Sequence, residues 1–467
     1  MSDDGLLLMN TEGSSAGKSS DVFLNMEGKR DVDKVSDFEA AVGMSRKWDA
    51  YEAGRETAES TIRQLKRPPD FFLLFSTIHY DKHGGFQRLL DGVWSVLPEG
   101  TPLIGGTVAG FINPQGCYTR GATALAVSYP NMDVAIGYGK NTKRNPKKAV
   151  QTIVEMINRG LKSSPYQNKF LLNFVSSAEL MKIPGRGYKK IINSGFMSKF
   201  VTLTFSFSQY FLQKGPGRED EIFELFAKEL HDYYMILGTT VDEYRGIKSY
   251  QFFNEKIFTN SIVCLGLATD LNLDVCTTHG MNKTNIEFKI TKLSKDGHII
   301  RKINKKSAVP ELLRLLDWPE GFLNEKTMFY RILYYPISVK RHNRNIPVVM
   351  PFILKDSIVT PCKIEEGDAT VLTVSGKGLI TAIKNNLKNY EYIQPEFGLF
   401  STCGTILQTL GYSTNIIREE ILHFFNEKPF VMFFCAGEGT YSPINNINYA
   451  NMSYNTAIFG YDKKIIR

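Results

Sequence analysis

The chain has 467 residues, 43% hydrophobic and 22% charged, a globular composition that excludes a wholly disordered or collagen-like protein. Its net charge of +8 is small for this length, so nucleic-acid binding would have to rest on clustered bases. No apolar run approaches the roughly 18 residues of a membrane-spanning helix. Six scattered cysteines without a CxxC pair do not form a disulfide scaffold. With no recognisable signal peptide, we expect a cytoplasmic protein without a membrane partner.

The chain opens with a polar segment and then alternates strands with helices. Residues 1–37 are rich in Ser, Gly, Asp and Lys and are predicted to form a disordered tail. Order is expected from Phe38, in a first subdomain over 38–165. Its predicted elements are a helix over 50–66, a buried strand over 70–78, a helix over 86–97, strands over 101–104, 121–129 and 132–138, and a helix that begins at Asn145-Pro146.

From residue 166 the same order begins again. Thr119–Leu125 resembles Thr259–Leu265, and Asn131–Val134 resembles Asn272–Val275. This spacing predicts a repeated pair of hairpin strands in two pseudo-equivalent subdomains, 38–165 and 166–284. A further α/β domain is expected over 285–467. The predicted fold class is therefore mixed α/β, with duplicated α/β sandwich subdomains and mixed sheets followed by a C-terminal α/β domain.

Two glycine-rich turns end predicted strands at matching places in the repeat. They are Leu103–Gly110 and Ile236–Thr240. Glycine lets backbone N–H groups approach a bound molecule closely, and a threonine hydroxyl adds a donor and an acceptor. Strand ends are where α/β folds place ligands. The pattern favours a binding site at these turns, although a tight turn that merely requires glycine explains either copy alone.

Other chemistry is less well supported by the sequence. A cysteine-dependent acyl transfer would use Cys403 or Cys435 with His279 as the base. Nucleic-acid binding would use the basic segments 140–148 and 295–306, which we interpret as solvated loops. His79 and His83 flank Asp81, but two histidines alone do not make a metal site. No metal, cofactor or catalytic set is expected.

The sequence resembles the FIST family of intracellular signal-transduction sensory proteins. The resemblance runs from about residue 38 to 460 and is carried by Val42-Gly-Met-Ser, Leu103–Gly110, Leu237-Gly-Thr-Thr-Val, Cys276–Gly280, Phe400–Gly404, Phe433–Glu438 and Asn451–Thr456. It implies FIST N-terminal domain repeats over 38–165 and 166–284 and a FIST C-terminal domain over 285–467.

The resemblance also implies a function. The protein would sense a small ligand, with amino acids and related metabolites as the candidates, and would signal through a partner protein without being an enzyme. The expected ligand-binding residues are Gly105, Gly106, Thr107, Gly110, Gly238, Thr239, Thr240, Cys403, Gly404, Glu438 and Asn455. In that site, backbone N–H groups would bind the ligand's carboxylate, and Glu438 would bind the ligand's ammonium.

Overall fold

Three mixed β-sheets with the same strand order form the centre of the computed structural model. The structure describes residues 37–182, 187–325 and 327–463. The tail predicted over 1–37 lies outside the described residues except for Asp37.

The chain builds the three sheets from three consecutive units of related order. Each unit has an edge strand, a helix, a strand, one or two further helices, a strand, a hairpin and a last strand. The first unit comprises β1 (Glu39–Ser45), α1 (Ala50–Ile62), β2 (Phe71–Thr77), α2 (Phe86–Trp94), β3 (Leu103–Val108), β4 (Gly110–Asn113), β5 (Gly116–Tyr118) and β6 (Ala122–Ser128).

The second unit follows this order with an insertion after its second strand. It comprises β7 (Met132–Lys140), α3 (Pro146–Gly160), β8 (Asn168–Ser176), β9 (Ile191–Ile192), α4 (Gly195–Phe207), α5 (Glu219–Glu229), β10 (Tyr234–Thr240), β11 (Gln251–Phe253), β12 (Lys256–Phe258) and β13 (Ser261–Thr269). As predicted, α3 begins at Asn145, whose side chain accepts a hydrogen bond from the Lys148 amide, with Pro146 at the first helical position.

The third unit carries a larger insertion after its edge strand. Its edge strand is β14 (Asn272–His279). The insertion comprises β15 (Met281–Leu293), β16 (Ile299–Ile303), β17 (Lys306–Ser307), α6 (Ala308–Leu315), α7 (Met328–Leu333), β18 (Ile337–Arg341), β19 (Arg344–Val348), β20 (Phe352–Leu354), β21 (Ser357–Val359) and β22 (Gly367–Val374). The unit continues with α8 (Gly376–Lys388), β23 (Ile393–Cys403), α9 (Gly404–Leu410), α10 (Thr414–Phe425), β24 (Phe430–Cys435), β25 (Glu438–Ser442), β26 (Asn446–Tyr449) and β27 (Ser453–Asp462).

Each sheet is completed by a hairpin from a different unit. The first sheet has the order β1-β6-β2-β3-β11-β12, the second β7-β13-β8-β10-β25-β26, and the third β14-β27-β23-β24-β4-β5. The two middle strands are parallel in every case, and the other neighbours are antiparallel. The three units are therefore interlocked, because each contributes its hairpin to the sheet of another unit.

The predicted mixed α/β class is confirmed, and the repeat extends further than the sequence indicated. The segments 119–141 and 259–282 do hold strands in matching positions, but the prediction that each forms a hairpin was wrong. Strand β6 pairs with β1 and β2, whereas β7 pairs with β13 in the second sheet. Strands β23 to β27 form a third copy, which the sequence comparison did not detect.

The three sheets face one another through phenylalanine rings. Phe75 on β2, Phe174 on β8 and Phe433 on β24 contact each other pairwise, with ring centroids 4.6–5.6 Å apart. All three rings are fully buried. One ring from each sheet thus meets at the centre, where aromatic burial contributes strongly to stability.

Glycines make room for these rings and for the exchanged hairpins. A Cβ on Gly238 would lie 2.4 Å from the Phe433 ring. A Cβ on Gly106 would lie 2.4 Å from the Tyr250 carbonyl oxygen and 3.0 Å from the Phe174 ring. The two glycines are thus required by close packing at the sheet junction.

The insertions of the second and third units pack together outside this centre. The strands of the third-unit insertion form one sheet in the order β19-β18-β22-β15-β16-β21-β20-β9, with β17 on β16. Its last strand, β9, comes from the second-unit insertion and pairs with β20. The second-unit insertion is thereby fixed to the inserted sheet.

We expect Gly106→Ala to destabilise the protein by about 1–3 kcal/mol, because the added methyl meets a backbone carbonyl that cannot move alone. The matched control is Gly376→Ala in α8, where the new Cβ has only an ordinary 3.5 Å contact with Leu410. Urea unfolding of both variants measures the effect. Equal midpoints for the two variants would contradict the packing role of Gly106.

Candidate functional site

The residues predicted as glycine-rich turns lie at the sheet junction, but they belong to strands, so the prediction of turns was wrong. Gly105, Gly106 and Thr107 belong to β3, and Gly238, Thr239 and Thr240 belong to β10; all six are buried. The Thr107 hydroxyl accepts a hydrogen bond from the Tyr250 amide. The Thr239 hydroxyl accepts from the amides of Ala436 and Gly437, at 3.0 and 2.9 Å. Through these hydrogen bonds, the two threonines hold the hairpins that other units contribute to their sheets.

Glu438 and Asn455 meet in a buried polar cluster next to Gly238. Glu438 is directly opposite Gly238 in the register of β25 on β10. Its carboxyl is fully buried, 3.4 Å from the Ser453 amide that donates to it and 4.0 Å from the Cys435 sulfur. The Asn455 amide donates to the Ser401 carbonyl and the Ser453 hydroxyl. Burial raises the pKa of Glu438 well above its usual range, which favours the protonated form of the carboxyl.

The remaining predicted residues lie at two other places. Gly110 on β4 is opposite Phe434 in the third sheet. Cys403 ends β23, where its sulfur lies 3.0 Å from the Thr405 hydroxyl, and Gly404 starts α9. Gly404 lines an open groove beside Tyr412, and Cys403 lines an enclosed cavity. The ligand-binding roles of all eleven residues remain predictions.

The cavity that Cys403 lines lies between the strand ends and the two insertions. It measures about 110 Å³, and its floor comprises residues just beyond β8, β10 and β24, together with the end of β23. Its roof comprises Ile332 and Leu333 of α7 and the segments 349–352 and 359–361 of the inserted sheet. A second cavity of about 90 Å³ continues from it past Ala178, Lys190 and Pro216. We call the two together the roofed cavity. Such a position, at the carboxyl ends of parallel strands, is where α/β proteins bind ligands.

The walls of the roofed cavity are mainly apolar, and Glu219 is its most unusual group. The side chain is 3% exposed, and its Oε2 atom has no hydrogen-bond partner among the described residues. Burial, reinforced by the neighbouring carboxylate of Asp220, raises the pKa of Glu219 to about 8. At neutral pH the carboxyl therefore keeps its proton and can donate a hydrogen bond into the cavity.

Lys190 brings a positive charge to the same cavity. Its side chain lines both parts of the cavity, and burial lowers its pKa, an effect that the carboxylates of Glu325 and Asp242 oppose. An ammonium and a neutral carboxyl in an apolar enclosure form a suitable setting for a bound carboxylate. No short motif marks Lys190 in the second-unit insertion or Glu219 at the start of α5, so neither group was predicted from the sequence.

Tyr244 separates the roofed cavity from the open groove at Gly404. The ring lines both, and its hydroxyl donates to the Cys435 carbonyl at 2.9 Å. Glu243 and Tyr244 both have left-handed backbone conformations, with φ of 57° and 61°. Such conformations are costly for side chains of this size and occur preferentially at functional sites. The Asp242 carboxylate holds the loop by accepting three backbone hydrogen bonds, from Gly246, Ile247 and Lys248.

The structure also shows where the groups proposed for the alternative chemistries lie. The thiols of Cys403 and Cys435 are buried, and in the described part of the chain neither donates to nor accepts from an imidazole. Burial raises the pKa of both, which opposes thiolate formation. Of the basic segment 140–148, Lys143 is buried and donates to Asn260. Residues 37–182, 187–325 and 327–463 contain no cluster of three or more metal-ligating side chains.

No helix in the described ranges is both long and apolar enough to cross a membrane.

Comparisons with known proteins identify the class of this protein. A family model described as the FIST N domain matches residues 70–306, just over half of the chain. The chain therefore belongs to the FIST family, whose domains are generally sensory domains of signal transduction. No curated protein matches the sequence significantly.

One solved structure illustrates how far the structural likeness extends. Cyanuric acid hydrolase from A. caulinodans overlaps 91% of this chain and 100% of its own, with 8% identity and a TM-score of 0.30. A likeness at this TM-score carries no argument about fold or chemistry.

Glu219→Gln should change how stability depends on pH. The folded wild type keeps a proton that the unfolded chain releases above the ordinary glutamate pKa of 4.5. Its unfolding free energy should therefore fall between about pH 4.5 and 8, by at most about 1.4 kcal/mol per pH unit from this group. The uncharged glutamine removes this dependence. We therefore expect the unfolding free energy of the variant to rise relative to that of the wild type as the pH rises from 5 to 8.

Denaturant unfolding at pH 5, 6, 7 and 8 measures that difference. Glu99→Gln, at an exposed position, reports the general effect of removing a carboxylate. If the unfolding free energies of the wild type and Glu219→Gln change with pH in the same way, Glu219 is not held neutral.

Proposed function

We propose that this FIST-family protein is an intracellular sensor that binds a small carboxylate with an apolar body, apolar amino acids included, in the roofed cavity. Signalling would pass through a partner protein. The FIST C-terminal domain over 285–467 belongs to the same proposal.

The observation that carries the proposal is the buried Oε2 atom of Glu219, which has no hydrogen-bond partner among the described residues and lies in an apolar cavity at the strand ends. A buried polar atom without a partner costs stability, and a ligand oxygen that accepts its proton would remove that cost. The Lys190 ammonium would complement the charge of the same ligand carboxylate.

The position of the ligand differs from the one that the sequence favours. Glu438, expected to bind an ammonium, has a fully buried carboxyl whose raised pKa favours the protonated form, and rings and hairpins fill the space beside the neighbouring glycines. The ligand is therefore proposed to lie one layer further out, on the cavity side of Cys403 and Ala436. The ligand would then enter from the open groove past Tyr244, which forms the wall between the groove and the cavity.

Thermal shift tests the ligand class directly when three compounds share one apolar body. Leucine and 4-methylpentanoate carry the carboxylate, whereas isoamylamine lacks it. We expect the first two to raise the unfolding midpoint in proportion to the logarithm of their concentration and the amine to leave it unchanged. A shift by the amine alone, or by none of a wider panel of small carboxylates, would contradict the proposal.

Ala178→Phe tests the location. Residue 178 lines both parts of the roofed cavity, so a phenyl ring there should occupy the ligand's space and abolish the shift. The matched control is Asn385→Phe on the exposed side of α8, which should keep the full response. A retained shift in Ala178→Phe would place the ligand elsewhere.

A further inference from the structure

Four phenylalanine rings project from one side of the second-unit insertion. Phe196, Phe200 and Phe207 on α4 and Phe211 on the π-helical turn Ser208–Leu212 are 79%, 48%, 56% and 58% exposed. Their spacing of 4, 7 and 4 residues places them within about 60° on a helix with 100° per residue. We call them the phenylalanine stripe. Exposed apolar patches of this kind mark interaction sites.

The side of α4 next to the stripe is already packed. Met197 and Val201 lie against a small core formed by Ile192 of β9 and by Ile299, Leu354 and Val359 of the inserted sheet. The helix is therefore fixed to the molecule by one side, and the phenylalanine stripe is its outer side. The stripe lines neither part of the roofed cavity nor the groove at Gly404.

The surroundings of the stripe are strongly basic. Lys182, Lys189 and Lys199 of the same insertion are exposed, whereas Lys190 lines the roofed cavity and Lys214 pairs with Glu179. The basic segment 140–148 adds five bases without an acid, and Arg144 joins it to the stripe by donating to the carbonyl oxygens of Tyr210 and Phe211, at 2.6 and 3.2 Å. Lys147, Lys148 and Lys199 are exposed.

We propose that the phenylalanine stripe and the basic segment 140–148 dock the protein on an anionic lipid surface. Apolar rings that project beside lysines and arginines match a membrane interface, where rings enter the acyl boundary and bases meet lipid phosphates. The sequence-based expectation of no membrane partner concerned a spanning segment, and peripheral docking requires none. A protein partner is less favoured, because the rings project outward and line no groove into which a partner side chain would fit.

Vesicle flotation with the full chain tests the proposal. We expect binding to phosphatidylcholine vesicles that contain 30% phosphatidylserine, little binding to pure phosphatidylcholine, and release as salt rises from 0.1 to 0.5 M. Phe207→Ser with Phe211→Ser should reduce the bound fraction about tenfold by removing two inserting rings. Lys147→Glu with Lys148→Glu should reduce it on anionic vesicles specifically.

Matched controls separate docking from general effects of substitution. Tyr412→Ser with Ile444→Ser removes two apolar side chains that are 97% and 79% exposed elsewhere, and Lys377→Glu with Lys388→Glu reverses two exposed charges on α8. Both should bind as the wild type does. Equal binding to neutral and anionic vesicles, or unchanged binding by Phe207→Ser with Phe211→Ser, would overturn the proposal. So would a solution dimer that this double substitution dissociates, in a protein that does not float.

Discussion

The contact of Phe75, Phe174 and Phe433 at the meeting point of the three sheets is the constraint on which the rest of the structure depends. Each ring comes from a different sheet, and glycines at 106 and 238 leave the space that the rings and hairpins occupy. Because every unit also lends its hairpin to a neighbour, no sheet is complete without two units. The parallel strands consequently end close together, around one common junction.

The junction explains why the cavity lies where it does. Its own polar groups are largely satisfied internally: the Thr239 hydroxyl holds the β24–β25 turn, and burial raises the pKa of the Glu438 carboxyl. We therefore propose that a ligand binds in the next layer, which the two insertions cover. There α5 supplies a proton donor at Glu219, and the second-unit insertion supplies a positive charge at Lys190. The insertion that brings Lys190 also carries α4 and its outer rings, so sensing and docking would share one segment.

The sequence predicted the parts of this structure that depend on local pattern. Apolar runs such as Phe71–Thr77 form strands, and Asn145-Pro146 starts a helix, because strand burial and helix capping are read from neighbouring residues. The exchange of hairpins was not predictable, since β6 and β7 look like a hairpin whether or not they pair with each other. Gly106 and Gly238 were recognised as special, but sequence alone does not distinguish a glycine that admits a ligand from one that admits a ring. Glu219 gave no signal, because its burial depends on residues far away in the sequence, such as Gly437.

The central claim is that the roofed cavity, and not the glycine junction, binds the ligand. A crystal structure of the protein with the carboxylate that gives the largest thermal shift tests it most directly. We expect ligand density between Glu219 and Lys190, with a ligand oxygen within about 3 Å of the Glu219 carboxyl. Density in the open groove beside Gly404 and Tyr412, with the roofed cavity empty, would contradict it.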